Sequence, residues 1–451
     1  MGASVLAATA TLGGGGAAAG TAVAPSPTPV PLLREISHVA FAAPPTTAQC
    51  EQQLGIACYD PAQYHVAYDL GPLYSQGYAG RGQTIAIVDS FGSPTIASQL
   101  AVFDKAFGLP APPSLKIIQP AGAVPPFDPN NSTMVGWAQE TSLDVEYSHA
   151  IAPDANILLV ETPVAETEGV TGFPQIVEAE NYVINNHMAQ VISQSFGATE
   201  ETFPNAQSIF RLRGAFINAQ RQHVTVLASS GDGGATDSEA NGTDYYLTPV
   251  NSWPSTDPLV TSMGGTQMHL NQAGQHLQPD TVWNDTNMFN SPAASGGNPS
   301  AVFARPSFQD SVSSYVGASR GTPDLSMSAA VNGGALVYLS QDAAGAGGTP
   351  GWYIFGGTSE ASPLFAGVVA IATQYAGHNL GWINPALYKL ASQPGSGIVD
   401  VTAGTNTVTF AQNGSEHTVY GHDAAVGYDE ASGLGTIDAA VFVPNLVKAV
   451  G

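Results

Sequence analysis

The run TIAIVD, from Thr84 to Asp89, is apolar, rich in β-branched residues, and ends on a carboxylate. Short runs of this kind predict buried strands. Similar runs follow it: NILLVE (156–161), QVISQSFG (190–197), VTVLASSGD (224–232) and LVTSMGG (259–265). Stretches of helical length lie between or after them, at about 95–107, 134–151, 174–187, 204–221 and 359–376. This alternation predicts an α/β fold with a mostly parallel central sheet and helices on both faces.

The strand–helix alternation occurs in one block without repeats, so we expect a single large domain over residues 46–451. Residues 1–45 are predicted to be an N-terminal segment that is disordered or removed. Within it, 25–32 reads PSPTPVPL, a proline-rich linker. Residues 1–24 resemble a secretory leader, although no Lys or Arg precedes Arg34. A functional signal and a disordered start both stay open.

The composition is strongly acidic and poor in charge. The 451 residues include 35 acidic and 11 basic side chains, for a formal net charge of −24. We therefore expect no nucleic acid partner and no membrane partner. The chain is also expected to be a monomer. In acid the carboxylates are protonated and only the few basic side chains carry charge. Repulsion between positive charges within the chain is therefore small. The composition favours acid adaptation; a secreted or salt-adapted surface that merely avoids lysine is the alternative.

The chain has two cysteines, Cys50 and Cys58, both near its N-terminus. Neither a metal-binding motif nor a redox CxxC is present. In a secreted protein such a pair predicts one small disulfide loop.

Two stretches carry candidate catalytic residues. GGTSEASPLFAG (356–367) places Ser359 at the start of an apolar helix, where unpaired N–H groups stabilise an alkoxide or oxyanion. WAQETSLDVEYSHAIAPDA (137–155) places Glu140 and Asp144 one turn apart on one helix face. Such a pair is acceptable where the two carboxyls share a proton. The alternative is a solvated acidic face that includes Glu146.

A third candidate is Asp232, in the glycine-flanked turn of VTVLASSGDGGA, directly after a predicted strand. Parallel sheets form their sites at the carboxyl ends of strands, where a protonated carboxyl could donate a hydrogen bond to an oxyanion. The alternative is an ordinary turn aspartate.

Over roughly residues 60–440 these motifs, in this order, resemble those of the sedolisins, the serine-carboxyl peptidases with a subtilisin-like fold. The segments that carry the resemblance are ETSLD, SSGD, NSWPSTDPLVTSMGGT (251–266), SGGNPSAVFARPSFQ (295–309), RGTPDLS (320–326) and GGTSEASP. It implies Ser359 as nucleophile, Glu140 as general base, Asp144 as the residue that orients Glu140, and Asp232 as oxyanion donor. Gly356 stands where the family more often has Ser, a small-for-small change.

The resemblance implies a secreted, acid-acting endopeptidase with protein or peptide substrates. A histidine base is protonated in acid, whereas a carboxylate can still accept the serine proton. The alternatives are a tripeptidyl-peptidase, a hydrolase of esters, and a catalytically silent binding module. An ordinary subtilisin is less favoured: Asp89 resembles its aspartate, but the nearest histidine to Glu140 is His149, outside any matching motif. Asp89 is either part of the carboxyl network or a structural strand end.

Sedolisins also resemble one another in a C-terminal calcium site, and IVDVTAG (398–404) and AAVGYDEASGLGTID (424–438) are similar to its two halves. The resemblance implies one structural calcium ion held by carboxylates and backbone carbonyls. Its ligands would be Asp400, Val401, Ala425, Gly427 and Asp429. Two loop aspartates near glycines are the alternative, and Asp423 is a possible decoy. Whether a prodomain exists, as in family precursors, stays open.

Overall fold

The computed structural model describes residues 34–35 and 40–451. The remainder of the predicted N-terminal segment 1–45 lies outside the described residues, including the leader-like stretch and the proline-rich linker. Within that segment, Arg34–Glu35 pair with the strand Gly351–Gly356, and Phe41 exchanges backbone hydrogen bonds with Trp352. Cys50 and Cys58 form a disulfide with a Cα–Cα distance of 5.9 Å, which confirms the predicted loop.

The helices are assigned as follows: Thr47–Leu54 (α1), Pro61–Ala67 (α2), Gly71–Ser75 (α3), Ile96–Phe107 (α4), Ser132–Ile151 (α5), Phe173–Asn185 (α6), Ala206–Leu212 (α7), Gly214–Arg221 (α8), Thr286–Phe289 (α9), Ser313–Val316 (α10), Thr358–Ala376 (α11), Asn384–Ala391 (α12) and Ala439–Val450 (α13). Short 3₁₀ turns cover Glu200–Thr202 and Ser307–Val312.

The strands are Arg34–Glu35 (β1), Cys58–Tyr59 (β2), Thr84–Ser90 (β3), Leu115–Ile118 (β4), Asn156–Thr162 (β5), Val191–Gln194 (β6), Ala198–Thr199 (β7), Thr225–Ser229 (β8), Ser252–Trp253 (β9), Thr261–Gln267 (β10), Thr281–Val282 (β11), Pro299–Ala304 (β12), Ser319–Gly321 (β13), Leu325–Ser328 (β14), Gly334–Leu339 (β15), Gly351–Gly356 (β16), Ile398–Val399 (β17), Val408–Gln412 (β18), Ser415–Val419 (β19) and Thr436–Ile437 (β20).

The central sheet has eight strands in the order β11-β10-β8-β6-β3-β5-β4, with β14 paired to β10. The pairings within it are parallel except for that of the edge strand β11. The predicted mostly parallel sheet is therefore confirmed. A second, four-stranded sheet in the order β1-β16-β15-β2 was not predicted, although its strands GALVYL and GWYIFG are apolar runs.

Apolar side chains cover both faces of the central sheet. In β3, Ile85 and Ile87 join one core cluster, whereas Ala86 and Val88 join another. This alternation follows from the two-residue repeat of a strand. The first core holds α5 and α11, which pack against each other, and the second holds α6 and α8. Helices on both faces are therefore confirmed.

One predicted helix is wrong in its continuity. The stretch 204–221 is two helices, α7 and α8, and Arg213 lies at their junction. The guanidinium of Arg213 donates two hydrogen bonds to Asp257, at 2.5 and 2.9 Å. This bidentate ion pair fixes the junction, a tertiary contact that helix periodicity does not report. No helix in the described part of the chain is long and apolar enough to cross a membrane.

Candidate active site

Ser359 is delivered by β16 and α11. Strand β16 ends at Gly356, and α11 starts at Thr358 with Ser359 as its second residue, so the hydroxyl belongs to the first turn of the helix. The turn requires glycine, because Gly357 has φ 106°. At Gly356 an added Cβ would meet the backbone carbonyl of Ala329. The change from the family's Ser to Gly is therefore not neutral in this chain, since the turn lies tightly against residues 329–331.

The structure brings Glu140 from the middle of α5 next to Ser359. Both side chains are fully buried. Among the described residues, neither Glu140 oxygen nor Ser359 Oγ has a well-aligned hydrogen-bond partner. The Ser359 hydroxyl is nevertheless close enough to Glu140 to lower its pKa by a hydrogen-bond contribution. A loose contact of this kind is common in a catalytic pair without substrate.

Glu140 belongs to a cluster of buried carboxyls. Burial raises the pKa of Glu140 well above its usual range, and the charges of Asp144, Asp89 and Asp232 raise it further. Burial and the charge of Asp89 likewise raise the pKa of Asp144. The alternative of a solvated acidic face is wrong, because Glu140, Asp144 and Glu146 are all 0% exposed.

Two hydroxyls orient the other members of this cluster. Ser195 Oγ donates to Asp144 Oδ1 at 2.8 Å, and Thr141 Oγ1 donates to Asp89 Oδ2 at 2.8 Å. Burial raises the pKa of Asp89 to about 7. Asp89 is therefore part of the carboxyl network, one of the two roles considered from the sequence. Ser195 was missed because it lies inside the predicted run 190–197, whereas β6 ends at Gln194 and places Ser195 at the carboxyl end of a parallel strand.

Asp232 contacts the residue that precedes Ser359. Its Oδ1 accepts hydrogen bonds from Thr358 N and Thr358 Oγ1, both at 2.8 Å. Thr358 directly precedes Ser359, so this contact ties the Asp232 turn to the start of α11. Thr358 was the second residue that sequence reasoning missed; its position in the GTS motif was the available signal.

The histidine nearest in sequence faces elsewhere. His149 lies on α5, and its Nε2 is 2.8 Å from Pro110 O and 3.2 Å from Asp104 Oδ1. Ser359 therefore has a carboxyl, and not this imidazole, as its neighbour on α5. A serine hydroxyl, a carboxyl with a raised pKa and a helix N-terminus together fit acyl transfer in acid.

The predicted calcium ligands lie on two loops that contact each other. Gly427 N donates to Asp400 Oδ2 at 2.9 Å, and Ala425 N donates to Asp429 Oδ2 at 3.0 Å. Val401 is buried against Val282 and Ala431. Across the described residues there is no group of three or more His, Cys, Asp or Glu that could hold a metal. A calcium ion here would need backbone carbonyls beside the two carboxylates, and that mixed oxygen donor set fits this metal.

Comparison with known proteins identifies a family for this chain. The model of the subtilase family matches residues 129–390. Kumamolisin of Bacillus sp. (strain MN-32) is 30% identical over 392 residues, which cover 85% of this chain and 63% of the relative. Sedolisin of Pseudomonas sp. (strain 101) is 27% identical over 388 residues, which cover 85% and 60%. The chain thus spans less than two thirds of the length of these curated relatives.

A solved structure gives the same result for the fold. Pseudomonas sedolisin, a serine-carboxyl proteinase in complex with two molecules of pseudo-iodotyrostatin, aligns with a TM-score of 0.68 and 26% identity. The alignment covers 87% of this chain and 99% of that one. The resemblance and the subtilisin-like fold predicted from the motifs are confirmed. The subtilase family model matches more than half of the residues of this chain. The chain therefore belongs to the subtilase family and is similar to the sedolisins within it.

Proposed function

We propose that this chain is a secreted, acid-acting serine-carboxyl endopeptidase. The observation that carries the proposal is the buried contact between Ser359 and Glu140, with Asp144 and Asp89 behind the carboxyl. Sedolisin, described as a serine-carboxyl proteinase, supports the reaction class. The acidic composition and the Cys50–Cys58 disulfide support secretion into an acidic medium.

In the proposed reaction, Ser359 Oγ attacks the peptide carbonyl while Glu140 takes the hydroxyl proton. Asp144 orients Glu140 and is itself held by Ser195. The oxyanion receives hydrogen bonds from a protonated Asp232 carboxyl and from the backbone N–H of Ser359 in the first turn of α11. Glu140 then gives its proton to the leaving amine, and water hydrolyses the acyl-enzyme. Acid suits the roles of both Glu140 and Asp232. Glu140 can still accept a proton in acid, and Asp232 must be protonated to donate a hydrogen bond.

The direct test is casein digestion by the purified chain from about pH 2.5 to about pH 7.5, with Ser359→Ala in parallel. We expect digestion on the acid side only and none from the variant. Digestion that peaks at alkaline pH, or that persists in Ser359→Ala, would overturn the proposal. A catalytically silent binding module predicts no digestion at any pH.

A tripeptidyl-peptidase is the second candidate, because tripeptidyl-peptidase sed4 of Aspergillus fumigatus is 30% identical over 290 residues. Those residues cover only 56% of this chain, less than the kumamolisin alignment does. A peptide with a blocked N-terminus separates the two candidates. An endopeptidase cleaves it, whereas an enzyme that removes tripeptides needs a free N-terminus.

Asp232→Asn is expected to retain part of the activity and to have a broader pH profile. The amide can donate a hydrogen bond at any pH, so the requirement for a protonated carboxyl is lost. The loss in kcat is expected to be about 10-fold to 100-fold, less than for removal of a donor. Measurement of kcat over the acid range checks this, and a profile identical to that of the wild type contradicts the oxyanion role of Asp232.

We also propose one structural calcium ion, held by Asp400, Asp429 and the carbonyls of Val401, Ala425 and Gly427. Bound calcium would tie the two loops together and stabilise the folded state. We expect calcium to raise the melting temperature by a few degrees and Asp400→Asn to lose that response. Asp423→Asn is the matched control, since Asp423 is an exposed aspartate of the same region. An equal calcium response in both variants and the wild type would contradict this site.

A further inference from the structure

A cavity of about 730 Å³ lies between the first turns of α5 and the tip of the hairpin formed by β15 and β16. Residues 340–350 are called the hairpin tip below. Helix α5 contributes Ser132, Val135, Gly136 and Gln139, which share one helix face. The hairpin tip contributes the run from 344 to 349. The volume is that of a ligand site.

The wall made by the hairpin tip is held in place on α5. Ala346 N donates to the carbonyl of Pro129, just before the helix, at 2.8 Å. Gly345 has φ +77°, and a Cβ there would lie 3.1 Å from Val135 Cγ1, so the loop backbone packs directly on the helix. Tyr353 Oη donates to Thr349 O at 2.6 Å. Ordered contacts between two elements therefore hold the walls of the cavity in place, and the cavity is partly open to solvent.

These two elements also deliver the proposed base and the nucleophile. Gly136 lies one turn before Glu140 on the same face of α5, and Ser132 lies about 12 Å from Glu140 along the helix axis. Strand β16 continues through Gly356 to Ser359. In the proposed reaction Glu140 protonates the leaving amine, so the amine side of the scissile bond must face α5. The cavity-lining residues of α5 lie within about two turns of Glu140, toward the N-terminus of the helix.

The cavity lining has no Asp, Glu, His, Lys or Arg, in a chain with 35 acidic residues. Val135, Ala344, Ala346 and the ring of Tyr353 give it apolar walls, and glycines of the hairpin tip leave room. A charged side chain placed there would lose part of its hydration without gaining a counterion. A large uncharged substrate side chain would bury apolar surface against these walls. The substrate backbone would stay near the hairpin tip, where it can form hydrogen bonds.

We propose that this cavity is a substrate subsite for the leaving-group side, which takes a large uncharged side chain from the first two residues after the scissile bond. The inference rests on the proposed function. The subsite contacts only residues of the leaving group. Substrates that share one acyl half and differ after the scissile bond therefore measure the effect of this subsite alone.

The test uses quenched fluorescent peptides with one fixed acyl half and varied residues after the scissile bond, cleaved by the full chain at acid pH. We expect kcat/KM to be about 10-fold to 100-fold higher for Phe or Leu than for Asp, Glu or Lys at one of these two positions. Ser132→Asp, in the first turn of α5, is expected to raise kcat/KM selectively for Lys at that position. The new carboxylate supplies the missing counterion and suits a helix N-terminus.

The matched control is Ser98→Asp, an exposed serine in the first turn of α4, outside the cavity. It is expected to leave the preference unchanged. A methyl ester of the same acyl half lacks leaving-group residues, so its hydrolysis reports catalysis without the subsite, and Ser98→Asp should hydrolyse it at the wild-type rate. An active enzyme with equal kcat/KM for all leaving-group residues, or with the same preference in Ser132→Asp, overturns the subsite alone. Absence of any Ser359-dependent hydrolysis overturns the peptidase proposal and the subsite with it.

Discussion

Glu140→Gln is expected to lower kcat on a peptide substrate by about 10,000-fold while the fold is retained. The amide has nearly the shape of the carboxyl, but it cannot accept the proton of Ser359 or return one to the leaving amine. The effect is large because the serine hydroxyl is a weak nucleophile without a base. Single-turnover kinetics at acid pH, with circular dichroism to verify folding, measure it.

Glu146→Gln is the matched control for this change. Glu146 lies on the same helix, is equally buried, and has a pKa raised by burial, but its Oε2 accepts from Tyr338 N and not from the site. Its replacement should leave kcat near the wild-type value. The double variant Glu140→Gln/Ser359→Ala should be no slower than Ser359→Ala, because the two groups act as a unit. Equal activity of Glu140→Gln and the wild type would contradict a carboxyl base.

Glu180→Gln is expected to stabilise the protein by about 3 kcal/mol at pH 7 and to have little effect near pH 4. Glu180 lies on α6, is 0% exposed, and burial raises its pKa from 4.5 to about 8. Its Oε1 accepts from Gln194 Nε2, an interaction that the amide oxygen of Gln can keep. The substitution therefore removes the ionisable group without removing its hydrogen bond.

The sign of this effect follows from proton binding. The pKa of Glu180 is higher in the folded chain than in the unfolded chain, so the folded state binds more protons between about pH 4.5 and about pH 8. Stability from this group is complete below pH 4.5 and falls as the pH rises through that window. Burial also raises the pKa of Glu360 to about 8 and that of Glu200 to about 7. The protein is thus expected to be most stable in acid.

Denaturant unfolding at both pH values measures the change, with Glu178→Gln as the matched control. Glu178 is an exposed residue of the same helix, so its replacement should leave the free energy of unfolding nearly constant at either pH. If Glu180→Gln has the same effect at pH 4 as at pH 7, the buried carboxyl is not the source of acid stability.

Much of the fold could be predicted because its signals are local. The run at 84–89 became β3, and the stretch at 359–376 became α11 within one residue. A buried strand and an apolar helix each leave their pattern in consecutive residues. The second sheet was missed because β15 and β16 are joined by a long tip and pair with segments remote in sequence. The split between α7 and α8 was missed because Arg213 is held by Asp257, a tertiary contact.

The sequence by itself determined the α/β class and the order of the motifs, because residue type and local spacing are written in the chain. The resemblance of those motifs to the sedolisins made Ser359, Glu140, Asp144 and Asp232 the candidate site residues. Only the tertiary structure decided that the carboxyls are buried, that Asp89 joins them, and that Ser195 and Thr358 hold Asp144 and Asp232. It also decided that a cavity without Asp, Glu, His, Lys or Arg lies between the first turns of α5 and the hairpin tip. Burial and the pKa values that follow from it depend on which distant segments pack together, and no local pattern records that packing.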